Sequence, residues 1–147
     1  MMRPATHPYG ILRLMPEFSS SGIWTPPSPR SNLCGPMIDY DLLDLPEDLV
    51  TRLEAWQARF EEGFDPGSAD PALNNPPPEF WDALSAEEKS LAHELHEAVG
   101  GQVQYYGEGG IWSVGGTEPD ATTEELQAEY EERLAEMQRK FREKPQA

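Results

Sequence analysis

Basic residues are scarce in this chain: 11 Lys and Arg stand against 27 Asp and Glu in 147 residues, a formal net charge of −16. Binding to nucleic acid or to an anionic membrane relies on Lys and Arg to displace counterions from phosphate, so this balance argues against both. Cysteine is nearly absent. Cys34 alone permits no intramolecular disulfide, which removes the framework of small secreted domains and favours a reducing, cytosolic setting. Long apolar runs are missing too: no stretch approaches the roughly 18 residues needed to span a bilayer. The first nine residues hold one Arg and no apolar segment, unlike a secretory signal. The expectation is a soluble, cytoplasmic protein.

Apolar residues make up 37% of the chain, below the usual globular share, while 15 Pro and 12 Gly enlarge the irregular fraction, so a small core with long surface connections is expected. The four Trp, five Tyr and five Phe are nevertheless clustered, which argues for a folded chain. Tyr9 to Phe18 reads as a strand limited by Pro16, which either places it at a sheet edge or ends it there. Gly22-Ile23-Trp24 offers a short second strand or a Trp tucked over the core. Thr25 to Pro36, with four Pro, reads as an exposed loop.

Asp44-Leu45-Pro46-Glu47 starts a helix running to about Glu62, whose Leu49, Leu53, Trp56 and Phe60 form one apolar stripe. Phe64 to Pro78 is a second long loop. Ser85-Ala86-Glu87-Glu88 matches a capping box, from which a second helix carries Leu91, Leu95 and Val99 to a stop at Gly100-Gly101. Gln102 to Tyr106 and Ile111 to Val114 alternate around Gly107, Gly109 and Gly110 as a hairpin. Thr122-Thr123-Glu124-Glu125 opens a third helix with a narrow seam of Leu126, Tyr130, Leu134, Met137 and Phe141. That seam fits two placements, against its own domain or against its copy in a homodimer through 122–141.

The order of elements predicts an α+β fold, a small antiparallel sheet packed by two or three helices in a single domain with Pro/Gly-rich loops. Residues 1–8 are read as a flexible N-terminus, 9–116 as the core domain with loops at 25–36 and 64–78, and 117–147 as a C-terminal amphipathic helix.

Catalytic signatures are lacking. His93, His96 and Glu97 project from neighbouring helical turns as metal ligands do, but the two histidines are three apart where a zincin needs four, and a solvated polar face is the plainer reading. Gly107-Glu108-Gly109-Gly110 carries an acid and no Lys where a phosphate cradle would need the reverse. Cys34 has no neighbouring base to activate it. No catalytic residue, metal or cofactor is therefore assigned. A binding role is the better expectation, since an excess of one charge sign invites a partner of the other. Trp24, Trp81, Tyr105 and Trp112 are the candidate anchors, because Trp and Tyr favour interfaces. Asp39, Asp41 and Asp44, with Glu61, Glu62, Asp65, Glu79 and Asp82, are the candidate acidic contacts.

Leu12-Arg13-Leu14-Met15-Pro16-Glu17-Phe18, then Gly22-Ile23-Trp24, then Leu45-Pro46-Glu47-Asp48-Leu49 leading into Leu53-Glu54-Ala55-Trp56-Gln57, resemble the short acidic immunity proteins of bacterial toxin systems. The resemblance spans Tyr9 to Val114 and omits the third helix. It implies a non-enzymatic inhibitor that occludes the basic active cleft of a cognate toxin, a basic protein partner that is a toxin or nuclease. Two other readings stand beside it: a phage-type anti-defence protein mimicking nucleic acid to block a defence nuclease, and a small metal-dependent enzyme using His93 and His96.

Overall fold

A three-residue strand with both faces buried organises the chain. In the computed structural model, which describes residues 3–143, β1 (Leu12–Leu14) lies between β2 (Ile23–Trp24) and β3 (Val103–Gly107). The strands β4 (Gly110–Ser113) and β5 (Ala121–Thr122) complete a sheet of order β2-β1-β3-β4-β5. The helices are α1 (Glu47–Gly63), the single turn α2 (Pro71–Asn74), α3 (Pro78–Val99) and α4 (Thr123–Glu143). The α+β architecture read from the sequence is the one that forms, but the sheet is mixed. β1 and β3 run parallel, with Leu12 opposite Val103 and Arg13 opposite Gln104, while the other neighbouring pairs are antiparallel. A parallel pair needs a crossover, and the helices between β2 and β3 provide it. The first strand is thereby interior, and of the two readings that Pro16 allowed, the strand ends before the proline and does not lie at an edge.

Alternation along β1 sends Leu12 and Leu14 to one face and Arg13 to the other. The leucines meet the helices: Leu49, Leu53, Trp56 and Phe60 of α1, and Leu84, Leu91, Ala92, Leu95 and Val99 of α3, share one core with Ile23, Val103 and Tyr105. The expected α1 stripe is this buried face. Gly63 ends α1 where a Cβ would stand 2.2 Å from the Phe80 ring, so its missing side chain is what lets α1 close on α3.

Arg13 is fully buried on the opposite face. Its Nε donates to Gln104 Oε1 at 2.9 Å, and its guanidinium also reaches the carbonyls of Ser31 (2.8 Å), Leu33 (3.2 Å) and Ser28 (3.4 Å). Gln104 in turn donates Nε2 to Pro29 O and Asp120 Oδ2, both at 2.8 Å. The stretch 25–36, expected as an exposed loop, is therefore a cover for the second face of the sheet, with Pro26 buried. Loops seldom bury because their backbone polar groups lose water; here a cation and an amide replace that water.

α3 starts seven residues before the expected capping box. Pro78 occupies its first turn, where a missing N–H is harmless, and Glu88 is turned into the interior instead of capping Ser85. The hydroxyl half of the α4 box forms: Glu125 N–H donates to Thr122 Oγ1 at 3.2 Å, while the Glu125 carboxylate accepts the Thr122 hydroxyl and not its backbone N–H. Glu125 and Glu129 tie the first turns of α4 to Arg30, Ser31 and Asn32 of the covering loop. Beyond them the seam leaves the domain, with Tyr130 51%, Leu134 40%, Met137 64% and Phe141 81% exposed, so it does not pack on its own domain. At the other end, the described part of the segment read as a flexible N-terminus is hydrogen-bonded to the end of α3. Thr6 N–H donates to Val99 O, and Gly101 N–H donates to Arg3 O, each at 2.8 Å.

Gln104→Ala strips Arg13 Nε and Asp120 of their shared partner. A loss of about 2–4 kcal/mol in urea unfolding is expected, together with faster tryptic cleavage at Arg30 in the loop that Arg13 no longer holds.

Candidate functional site

A groove of about 690 Å³ is walled by the β1–β2 connection, the 37–45 segment and α1. Two hydroxyls set its shape. Tyr40 Oη donates to Ser21 O at 2.6 Å, and Ser21 Oγ donates to Ile38 O at 2.6 Å, so the 37–45 segment is fastened across the β1–β2 connection. Burial, with Glu54 adding to it, pushes the Tyr40 hydroxyl up to about 12. Ser19 and Asp44 both line the groove, and among the described residues they alone combine a side chain with positive φ, 56° and 53°. Such backbone is strained for residues other than Gly, and it collects where a surface has a task.

Asp39, Asp41, Asp44, Glu54 and Glu61 line this groove, and no Lys, Arg or His does. Among the described residues none of the five is in a salt bridge. Glu61 does accept the Ser19 N–H at 2.7 Å, which joins α1 to the opposite wall. Three arginines pair with acids outside the groove: Arg30 with Glu125, Arg52 with Asp48 and Glu94, Arg59 with Glu87. Uncompensated negative charge is thus gathered on one face.

An aromatic ridge borders the groove. Phe18 stands 4.9 Å from Phe60 and 6.1 Å from Phe64, and Phe64 meets Trp81 edge-on at 5.0 Å. Phe80 contacts Trp81 at 4.9 Å. Phe18 and Trp81 remain 40% and 37% exposed, large for aromatic rings that have neighbours to pack on.

The sequence candidates fall into separate places. Asp39, Asp41, Asp44 and Glu61 share the groove, and Trp81 stands on the ridge. Glu62 lies on α1 facing a hollow with Phe80 and Glu87, Asp65 accepts the Gly67 N–H in the 64–70 turn, and Glu79 and Asp82 are exposed at the start of α3. Trp24 donates Nε1 to Met15 O at 2.9 Å and is half-buried in the sheet. Tyr105 and Trp112 line a different hollow with His93, where Trp112 donates Nε1 to Glu108 O.

His93 and His96 use Nδ1 on the carbonyls of Lys89 and Gly101 respectively, and Glu97 is exposed. Among the described residues no three His, Cys, Asp or Glu side chains are grouped to hold a metal. Cys34 Sγ lies 3.7 Å from Tyr106 Oη and 3.6 Å from Met15 Sδ. No described helix is long and apolar enough to cross a membrane.

Phe18, Tyr40 and Glu54 went unsingled in the sequence. Phe18 follows a strand and Glu54 sits beside the apolar stripe, so neither has a local signal. Glu88 was read as a cap, yet it is 4% exposed and its Oε2 accepts the Tyr106 N–H at 2.6 Å. Burial pushes its carboxyl up to about 8, against the opposing pull of that amide.

Fold and surface together define a small α+β domain with an acidic, aromatic-edged face. The chain belongs to the Serratia CdiI immunity protein-like family, whose family model matches residues 11–109. That match contains the groove, the ridge, Arg13, Gln104 and Glu88, and ends before β4, β5 and α4. No curated protein and no solved structure matches the chain significantly. Membership of an immunity family points to a toxin-neutralising role through binding, as the sequence resemblance implied.

The folded chain holds a proton on Glu88 that the unfolded chain releases above its ordinary value of 4.5. Stability attributable to this group is therefore present below about pH 4.5, declines as pH rises toward 8, and then levels off. Glu88→Gln keeps an acceptor for Tyr106 without the charge. Its unfolding free energy relative to wild type is expected to rise by roughly 2–4 kcal/mol between pH 4.5 and pH 8.5 in paired urea titrations.

Proposed function

We propose that this protein is a non-enzymatic immunity protein that acts in the cytoplasm and neutralises a cognate toxin by laying its acidic groove and aromatic ridge over the toxin's basic active cleft. The observation that carries this reading is the gathering of Asp39, Asp41, Asp44, Glu54 and Glu61, free of salt bridges among the described residues, beside exposed Phe18 and Trp81. Unpaired surface carboxylates extend an attractive field toward a basic partner and raise the encounter rate. Aromatic rings that lose water on contact then slow dissociation, because a few large anchors dominate interface energy. Groove and ridge divide the two tasks. Occlusion needs no chemistry from the inhibitor, which suits a surface without a nucleophile, base or metal assigned to it.

The test uses the toxin captured with tagged wild-type protein and measures both rates by surface plasmon resonance. Asp39→Lys, Asp41→Lys and Glu61→Lys combined are expected to cut the association rate about 10- to 100-fold at low salt, with a smaller effect at high salt. Trp81→Ala is expected to act mainly on dissociation, by about tenfold or more. Association unchanged by the charge reversals, and equal at low and high salt, overturns the electrostatic reading.

For α4 we infer self-association, supported by the exposed seam of Tyr130, Leu134, Met137 and Phe141, which lies outside the family match. A seam this narrow suits one partner helix. Light scattering is expected to give a dimer for the full chain and a monomer for Leu134→Glu; equal masses for the two overturn it.

A further inference from the structure

Behind the ridge, a second cavity of about 410 Å³ opens between the end of β1, α1, α3 and β3. Its volume is within the range of about 300–1,000 Å³ usual for sites that enclose a small ligand or a single side chain. Met15, Phe60 and Leu84 give it apolar walls, Trp81 and Tyr106 add aromatic faces, and Glu88 also lines it. Glu88 is the unusual member. It is 4% exposed, its carboxyl takes one hydrogen bond, from the Tyr106 N–H, and no salt bridge reaches it among the described residues.

Asn32 and Ser85 also line the cavity, without a hydrogen bond to Glu88, and the nearest groups of stronger donor character are used elsewhere. Arg13 on β1 is spent on Gln104 and three loop carbonyls, and the Tyr106 hydroxyl lies against Cys34. On α3 itself, Glu87 pairs with Arg59. An acid buried with unused acceptor capacity is costly, and an apolar residue of similar size in its place would relieve that cost. A carboxylate that loses stability this way while facing an open cavity is explained by a visitor that supplies the missing donor.

We propose that this cavity receives the side chain of a lysine or arginine from the toxin, with Glu88 as its counter-charge. A basic side chain is the chemistry that uses the apolar, aromatic and acidic walls together. Its methylene stem lies along Met15, Phe60 and Leu84, its cation can rest against the Trp81 face, and its N–H groups reach the carboxylate. A neutral apolar group would leave the Glu88 carboxyl with its acceptors unused.

Placement selects a protein side chain over a free amine. Phe60 lines this cavity while the next residue, Glu61, lines the acidic groove, and Phe18 packs on Phe60 at the edge between them. A basic partner seated on groove and ridge therefore lies across the mouth. The identity of the visitor rests on the immunity reading; the cation preference of the cavity rests on the cavity alone.

The first test titrates the full chain at pH 7.5 with n-butylammonium, n-butylguanidinium and the neutral n-butanol, following the Trp81 indole and Tyr106 amide signals by NMR. Both cations are expected to bind at least about tenfold more tightly than the alcohol, and Glu88→Gln to abolish the preference. Equal binding of cation and alcohol, or cation binding unaltered by Glu88→Gln, overturns the proposal. Ser85→Trp, at an exposed position of the rim, is the second variant should Glu88→Gln misfold: it is expected to block the cations, and undiminished binding is evidence against the cavity as their site.

The second test returns to the captured toxin. Glu88→Gln is expected to weaken the complex about tenfold through faster dissociation, leaving association near its wild-type rate. If the groove reversals prove silent while Glu88→Gln still weakens the complex, the groove reading falls and the cavity stands. An affinity untouched by Glu88→Gln overturns the toxin side chain as occupant.

Discussion

The burial of Arg13 is the constraint on which the rest of the molecule depends. A guanidinium cannot shed its charge, so once β1 is interior to the sheet its second face must be supplied with acceptors. The chain answers with neutral groups: the Gln104 amide and the carbonyls of Ser28, Ser31 and Leu33. A carboxylate, that of Asp120, lies beyond Gln104. Gln104 turns its oxygen to Arg13 and its NH₂ to Asp120, so the amide dipole lies between cation and anion in the favourable sense. This fixes the amide orientation and ties β1 and β3, neighbours only through a long crossover, to one polar centre.

From that centre the dependence runs outward to the surface. Holding 28–33 over the sheet brings Pro36 back to Thr25, whose N–H and hydroxyl both donate to the Pro36 carbonyl. Ile38 N–H then donates to Ile23 O at 2.9 Å, and Tyr40 follows onto Ser21. The wall bearing Asp39, Asp41 and Asp44 is therefore positioned by a chain of hydrogen bonds that begins at a buried arginine on the far face of the sheet. The mutual repulsion of those acids is sustained by covalent and hydrogen-bonded anchoring, not by counter-ions within the groove.

This explains how much of the molecule was legible in the sequence. Leu49, Leu53, Trp56 and Phe60 repeat at helical spacing, and the Thr122–Glu125 box is a local pattern with a local consequence, so both could be read directly. Arg13 could not. A charged residue between two leucines has the alternation of a half-exposed strand, and nothing nearby discloses that a Pro-rich stretch fifteen or more residues later will cover it. Parallel pairing of β1 with β3 was hidden for the same reason, since it is decided by the packing of two helices. Glu88 shows a local rule overridden: the capping pattern is present, but Pro78 starts the helix earlier and leaves that glutamate in its interior. The acids of the groove were visible as charges, while their gathering required the Tyr40–Ser21 and Ser21–Ile38 bonds, which no spacing encodes.

The two kinds of carboxylate on the binding face act over different distances. Exposed acids in the groove act across a Debye length of about 8 Å at physiological salt, so their influence is felt before contact. Glu88, held up to about 8, is largely uncharged in the free protein and contributes little to that field. A cation entering its cavity reverses the balance, because the new opposite charge favours ionisation in a site where water is excluded and the pair is weakly screened. On this reading the long-range field sets how often a basic partner arrives, and the buried acid sets how long a correctly docked one stays. A partner of the right charge but the wrong shape benefits from the first and not from the second, which is how a strongly acidic surface can be selective as well as attractive.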